Sequence, residues 1–177
     1  MKYNNEARLA KSIENRNKII ETALNLINEK GFDNVSISEI TKAAGVSKGA
    51  FYIHFDSKED LIDKQISMWF DEAKLDGDYS NYEKLKYFIL KSIEQIKTSG
   101  LKMCQVWFSH ANQGSFHGKS KLAYDRNYFK SVTNSDNLAD EIISVYYGAL
   151  NLWCFSDGAI EPENIVLNYL KKYKEEK

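Results

Sequence analysis

The sequence predicts an all-α protein of about nine helices, split between an N-terminal three-helix part holding a helix-turn-helix and a longer C-terminal helical part. Three observations carry this. Apolar residues recur at three- and four-residue spacing along most of the 177 residues. Proline occurs once, at Pro162, so almost nothing interrupts long helices. No Asn-Gly or Asp-Gly pair lies between alternating apolar runs; Asp76-Gly77 and Asp157-Gly158 both follow helical patterns. Hydrophobic residues make up 43% of the chain, enough for a proper core, which disfavours a disordered chain.

Taken in order, the first clear helix runs from about Asn15 to Lys30, with Ile19, Ile20, Ala23, Leu24 and Ile27 forming one apolar stripe. Gly31 stands where a left-handed C-cap belongs. Ser36 followed by Glu39 reads as a capping box, and Val35 with Ile40 as its hydrophobic staple. That second helix lasts only to Ala44, because Gly45 ends it. A new helix starts at once from Ser47, with Val46 and Phe51 as another staple pair. Two capped helices separated by Gly45 and Val46 make a helix-turn-helix over about Ser36 to Phe55. Ser57 with Asp60 opens a longer helix that reaches Ala73, and the polar stretch LDGDYSNY marks the boundary. The expected domains are therefore 1–74 and 79–177.

Beyond the boundary the spacing predicts helices over about Asn81–Thr98, Leu101–Ala111, Lys121–Val132 and Asp136–Phe155. Residues Gln113 to Gly118 read as a loop. Pro162 suits the first position of a last helix carrying Ile165, Val166, Tyr169, Leu170 and Tyr173.

Charge and cysteine usage narrow the function classes. The net charge is −1, and residues 1–64 carry ten basic and ten acidic side chains, so bulk electrostatics do not point to nucleic acid. Their distribution does: from Thr41 to Phe55 there are Lys42, Lys48 and His54 and no carboxylate, leaving one face acceptable to phosphates. Cys104 and Cys154 stand far apart with no CxxC, and they form no metal spacing with His110 and His117. A reduced, cytoplasmic compartment with no disulfide framework, zinc site or cofactor is the simplest expectation. The first eighteen residues are too polar for a signal-peptide core, and no stretch approaches the roughly 18 apolar residues that span a bilayer. No nucleophile with a placed base, no paired carboxylates in an apolar setting and no phosphate-binding loop occur, so an enzyme is not expected.

In a helix-turn-helix the second helix enters the major groove, and its first residues meet base edges and phosphates. Here it begins Ser47-Lys48-Gly49-Ala50-Phe51-Tyr52. Gly49 and Ala50 are small enough for close approach, and Lys48 can reach a guanine edge or a phosphate. Tyr52 and His54 alternate with Phe51, Ile53 and Phe55, which suggests polar-tipped rings toward DNA and apolar side chains inward. Lys58 sits where an ammonium and helix amides could share one phosphate. Singly, Lys48 and Lys58 read equally well as surface lysines, His54 as a cap or core residue, and Tyr52 as a half-buried tyrosine. The ordered set is what points to DNA.

The stretch GFDNVSISEITKAAGVSKGAFYIHFDSKEDLI resembles the N-terminal domain of the tetracycline-repressor (TetR) family of one-component bacterial regulators. The match runs from about Asn17 to Ile66, and Ala-Gly-Val-Ser-Lys-Gly followed by Tyr-x-His-Phe-x-x-Lys-Glu is a specific combination. The resemblance implies that Ser36, Lys48, Tyr52, His54 and Lys58 take the DNA-contacting positions, with Ser47, Gly49 and Ala50 on the recognition helix. Thr41 departs from the usual alanine and brings a hydroxyl that could reach a phosphate. The resemblance further implies a C-terminal effector-binding and dimerisation domain. Trp69, Phe88, Trp107, Phe108, Tyr124, Tyr128 and Tyr146 are the candidate pocket residues, although an aromatic stripe reads as core just as well. Ala149, Leu150, Leu152, Trp153, Ile165, Leu167 and Leu170 are the candidate dimer contacts. The function so implied is a homodimeric repressor that binds a palindromic double-stranded DNA operator, with no membrane partner, and is released by a small-molecule effector. An activator, or a regulator working through protein partners, is the alternative.

Overall fold

The computed structural model describes residues 2–67, 75, 77–112 and 116–174, leaving aside the side chains at 2–5, 63, 66, 67, 110–112, 116–118, 120 and 173. It contains α1 (Lys2–Lys30), a 3-10 turn (Phe32–Asn34), α2 (Ile37–Ala43), α3 (Lys48–His54), α4 (Lys58–Ser67), α5 (Asn81–Ser99), α6 (Leu101–Asn112), α7 (Phe116–Thr133), α8 (Asp136–Phe155) and α9 (Pro162–Lys174). Among the described residues there is no strand, so the all-α expectation holds. The chain divides into two compact units, Met1–Gln65 and Ile66–Lys177.

In the first unit the apolar stripe of α1 supplies Ile19, Ile20, Ala23 and Ile27 to a core completed by Val35, Ile40, Phe51, Phe55, Leu61 and Ile62. Serine caps set where α2 and α3 begin. Ser36 Oγ accepts from the Glu39 amide at 3.2 Å and Ser47 Oγ from the Ala50 amide at 3.1 Å. Each such cap stabilises its helix by about 1 kcal/mol. Ser57 Oγ accepts from the Asp60 amide in the same way at 3.1 Å. Between α2 and α3 the backbone turns through Gly45 at φ 67°, and the Val46 amide donates back to the Thr41 carbonyl at 3.0 Å. This left-handed residue lets α3 restart without a longer loop.

In the second unit α8 packs against α6, α7 and α9, and α5 lies against α6, α7 and α9. The core is built from Leu85, Phe88, Ile89 and Ile93 of α5, Trp107 and Phe108 of α6, Phe129 of α7, Ile142, Tyr146 and Leu150 of α8, and Val166 and Leu170 of α9. A full capping box at Ser80 and Glu83 opens α5, and Gly100 at φ 95° separates α5 from α6. No helix among the described residues is long and apolar enough to cross a membrane.

Two helix boundaries differ from the sequence reading. α1 begins at Lys2 rather than near Asn15, because its polar first half follows helix propensity without an apolar stripe; Leu9 and Ile13 there are exposed. The residues expected to form a loop up to Gly118 are helical from Phe116, with 113–115 outside the described residues. The expected helix through Trp69 and Ala73 is described only as far as Ser67.

Candidate nucleic-acid interface

The first helical turn of α3 is open to solvent at Ser47, Lys48 and Gly49, with Ala50 half-buried. Phe51 anchors the helix beneath them. It is fully buried, with Tyr52 edge-on at 5.5 Å between ring centroids and Phe55 at 5.4 Å. Tyr52 is 55% exposed. Adding a Cβ at Gly49 would meet only Ser47 Oγ, at an ordinary 3.7 Å. Glycine is therefore not required there by the protein's own packing; what it does is keep this face low.

Three side chains sit otherwise than the sequence suggested. Ile53, grouped with the inward-facing residues by simple alternation, is 75% exposed. A helix advances 100° per residue, so two positions beyond buried Phe51 lies nearly the opposite face. Thr41 is buried, and its Oγ1 donates to the Ser38 carbonyl at 3.2 Å, which commits its proton within α2. Lys58 points into the unit: its Nζ donates to the Phe32 carbonyl and, at 2.7 Å, to the Val35 carbonyl, while lying 3.9 Å from the Phe32 ring centroid. Two of its three N–H groups are thus committed to the turn before α2. Ser36 remains exposed at the start of α2, with its oxygen serving as the cap.

His54 is half-buried, with Nε2 3.5 Å from Ser12 Oγ, and its carbonyl accepts from Lys64 Nζ at 3.0 Å. Burial, seconded by the charges of Arg16 and Lys64, lowers its pKa below the ordinary imidazole value. The Arg16 guanidinium and the Lys64 ammonium also lie 5.9 and 5.8 Å from the Phe55 ring centroid. These neighbours of α3 come from α1 and α4. Nothing in the local sequence signalled them.

The aromatic residues expected to line a pocket in the second unit behave mostly as core. Phe88, Trp107, Phe108 and Tyr146 are buried, Tyr124 and Tyr128 are half-buried, and Trp69 lies outside the described residues. Phe88 stacks on Tyr128 at 4.3 Å, and Trp107 meets Phe108 edge-on at 4.8 Å. Beside them runs a feature the sequence did not announce. Lys121 and Asp125 form a buried ion pair, and Tyr147 Oη donates to the other Asp125 oxygen at 2.9 Å. Burial pushes Asp125 up and Lys121 down, each toward its neutral form, against the attraction between them. Trp107 Nε1 is buried with no hydrogen-bond partner.

The second unit also has a cleft of ≈ 560 Å³, with Leu75, Tyr79, Tyr87 and Leu90 among Lys86, Lys91, Glu83, Glu94 and Glu163. None of the expected pocket residues among the described ones lines it. Of the expected dimer contacts, Ala149, Leu150, Trp153 and Leu170 are already buried within the protomer. Ile165 and Leu167 are half-buried, and Leu152 is exposed beside a more exposed Phe155.

Comparison with known proteins places this geometry. Residues 19–64 match the family described as bacterial regulatory proteins, tetR family. Over 60 residues the chain is 46% identical to the HTH-type transcriptional regulator YuxN of Bacillus subtilis, covering 34% of this chain and 21% of that protein. Over 94 residues it is 30% identical to IcaR of Staphylococcus aureus, the negative transcriptional regulator of the biofilm operon icaADBC, covering 50% of each. The chain thus spans half or less of these curated relatives. Among solved structures it is similar to the fatty acid degradation regulator FadR of Bacillus halodurans, with TM-score 0.70 and 20% identity over 88% of this chain and 95% of that one. The Bacillus subtilis FadR complex with stearoyl-CoA gives TM-score 0.63 and 19% identity over 87% and 95%. At these identities the structures share a fold.

Proposed function

The chain belongs to the tetR family of bacterial regulatory proteins, and from that premise we propose that it is a cytoplasmic transcriptional repressor and not an enzyme. Its first unit binds double-stranded DNA, with α3 in the major groove. The observation that carries this reading is the exposed start of α3, where Lys48, Gly49 and Tyr52 stand over a fully buried Phe51 in a stretch free of carboxylates. A homodimer would offer two such helices to a palindromic operator, with half-site centres about 34–36 Å apart on one side of the duplex.

The second unit, the region beyond residue 79 above all, is the effector-binding and dimerisation part of this proposal. A small apolar or amphipathic molecule releases the repressor by favouring a state that no longer fits the operator; binding both states equally would release nothing. Stearoyl-CoA, held by the FadR structure of similar fold, makes long-chain acyl-CoAs a reasonable first probe.

The test is a gel shift with the DNA flanking the protein's own gene, with and without such probes. Retardation by the wild type and its loss in a Lys48→Ala, Tyr52→Ala double variant that melts like the wild type support the reading. Undiminished binding by that variant would sink the assigned interface. A probe that binds with measurable affinity yet leaves operator affinity unchanged is not the releasing effector.

A further inference from the structure

The ≈ 560 Å³ cleft of the second unit is built on one face of α5. Its residues there, from Glu83 through Lys86, Tyr87, Leu90 and Lys91 to Glu94, follow three- and four-residue spacing. Leu75 and Tyr79, before the helix, and Glu163 of α9 complete the lining. The volume falls within the roughly 300–1,000 Å³ typical of small-molecule sites. Tyr79 and Tyr87 leave 45% and 39% of their surface uncovered, so the cleft offers solvent two rings as well as Leu75 and Leu90. The Tyr79 ring is seated on its own backbone. Its amide donates to the Gly77 carbonyl at 3.0 Å, and a Cβ added at Gly77 would stand 3.0 Å from the ring. Most charges of the lining are committed inside the protein. Glu83 Oε2 accepts from the Ser80 amide at 2.9 Å and from its hydroxyl at 2.7 Å. Lys91 pairs with Glu94 at 2.8 Å. Glu163 gives one oxygen to Lys97 at 3.0 Å, and its other oxygen is buried. Lys86 is exposed, and among the described residues it is the one charged side chain of the lining that has no partner.

We propose that this cleft takes a free amphipathic carboxylate, its head on the Lys86 ammonium and its hydrocarbon chain along Tyr87, Leu90, Leu75 and Tyr79. The inference rests on the reading of the second unit as the effector-binding part, and it names both the place and the ligand class. The place is the open face of α5. The aromatic interior is packed ring on ring, as Phe88 on Tyr128 and Trp107 on Phe108 show. Along α5 the eight residues from Lys86 to Glu94 cover about 12 Å, enough for a chain of medium length. The two parts of such a ligand do different work. Its hydrocarbon leaves water against the rings and leucines, which supplies the affinity. Its carboxylate answers the uncommitted ammonium, which supplies the choice: a neutral head leaves that charge unanswered, and a cationic head meets a like charge.

The experiment titrates the full-length protein calorimetrically with decanoate, 1-decanol and decyltrimethylammonium, each below the concentration at which it aggregates. Decanoate should bind saturably and more tightly than the other two, and octanoate should bind several-fold more weakly than decanoate. Lys86→Gln should weaken decanoate by about three- to fivefold, the upper range for an ion pair at an exposed site, and leave decanol unchanged. Lys86→Arg should restore decanoate binding, and Tyr87→Ser should weaken decanoate and decanol alike. Both positions are exposed, so these variants should melt like the wild type. No saturable binding of decanoate, equal binding of the three probes, or undiminished decanoate binding in Lys86→Gln would each overturn the assignment. Decanoate binding lost in Trp107→Phe but kept in Tyr87→Ser would place the ligand in the aromatic interior and overturn it too. A Tyr87→Ser protein that changes its oligomeric state in light scattering, with no probe bound by the wild type, would give the cleft to a second copy instead. No DNA enters the titration, so its failure and that of the DNA-binding reading are separable.

Discussion

The Lys58 ammonium closes on the Val35 carbonyl at 2.7 Å, tying the start of α4 to the residue that precedes the α2 cap. With the Phe32 carbonyl and ring it forms a clamp across the 3-10 turn. Lys58→Met should therefore lower the unfolding free energy by about 1–3 kcal/mol, the range for losing hydrogen bonds to a charged donor. Urea denaturation measures this. Unchanged stability with lost operator binding would instead return Lys58 to the phosphate.

Lys48 carries the opposite expectation. It is exposed on the first turn of α3, so Lys48→Ala should change stability by no more than about 0.5 kcal/mol. Operator binding measured across a salt series separates its two chemical roles. A slope shallower by about 1 marks a phosphate contact, whereas relaxed preference at one base pair marks a guanine contact.

His54 makes stability depend on pH. Its folded pKa lies below the ordinary 6.5, chiefly because burial opposes the charged ring. Below 6.5 the unfolded chain binds a proton that the folded protein refuses, so folding loses stability as pH falls from 6.5 toward the lower folded value. His54→Gln should flatten that part of the stability profile in thermal melts between neutral and mildly acidic pH. An unchanged slope would assign the titration to another group.

The buried Lys121–Asp125 pair should show a marked asymmetry between breaking it and replacing it. Asp125→Ala leaves an ammonium without its counter-charge and should cost about 3–5 kcal/mol. Lys121→Met combined with Asp125→Asn removes both charges and keeps an oxygen for the Tyr147 hydroxyl, so it should cost less than the single change. Chemical denaturation of the three proteins decides it.

Gly45 isolates a backbone effect. An added Cβ there would meet nothing within 4 Å, yet φ is +67°. Gly45→Ala should cost about 1–2 kcal/mol from conformation alone. A cost near zero would mean that the turn relaxes to another geometry.

What was legible in the sequence was local. The caps at Ser36, Ser47 and Ser57, the stop at Gly45 and the proline opening α9 each depend on residues a few positions apart, and the helix bounds follow. Side-chain direction was not legible wherever tertiary packing sets it. Thr41 and Lys58 turn inward because acceptors at Ser38, Phe32 and Val35 are placed by the fold. Lys121 and Asp125 read as an ordinary i,i+4 surface pair until α7 is packed with that face inward. The meeting of the Gln105 amide with the Cys154 carbonyl, and of Ser12 with His54, joins residues that no spacing rule connects.

Ile53 brings a different vocabulary to the proposed recognition helix. Its side chain has neither donor nor acceptor, and it stands 75% exposed beside Tyr52 on α3. Hydrocarbon at that position can distinguish a base only by the presence of other hydrocarbon, and in the major groove that means the 5-methyl group of thymine. Uracil keeps every hydrogen-bonding edge of thymine and lacks that methyl. Under the proposed docking of α3, an operator synthesised with uracil at a step that Ile53 faces would keep every hydrogen-bonding edge for Lys48 and Tyr52 and lose the methyl group that Ile53 could meet.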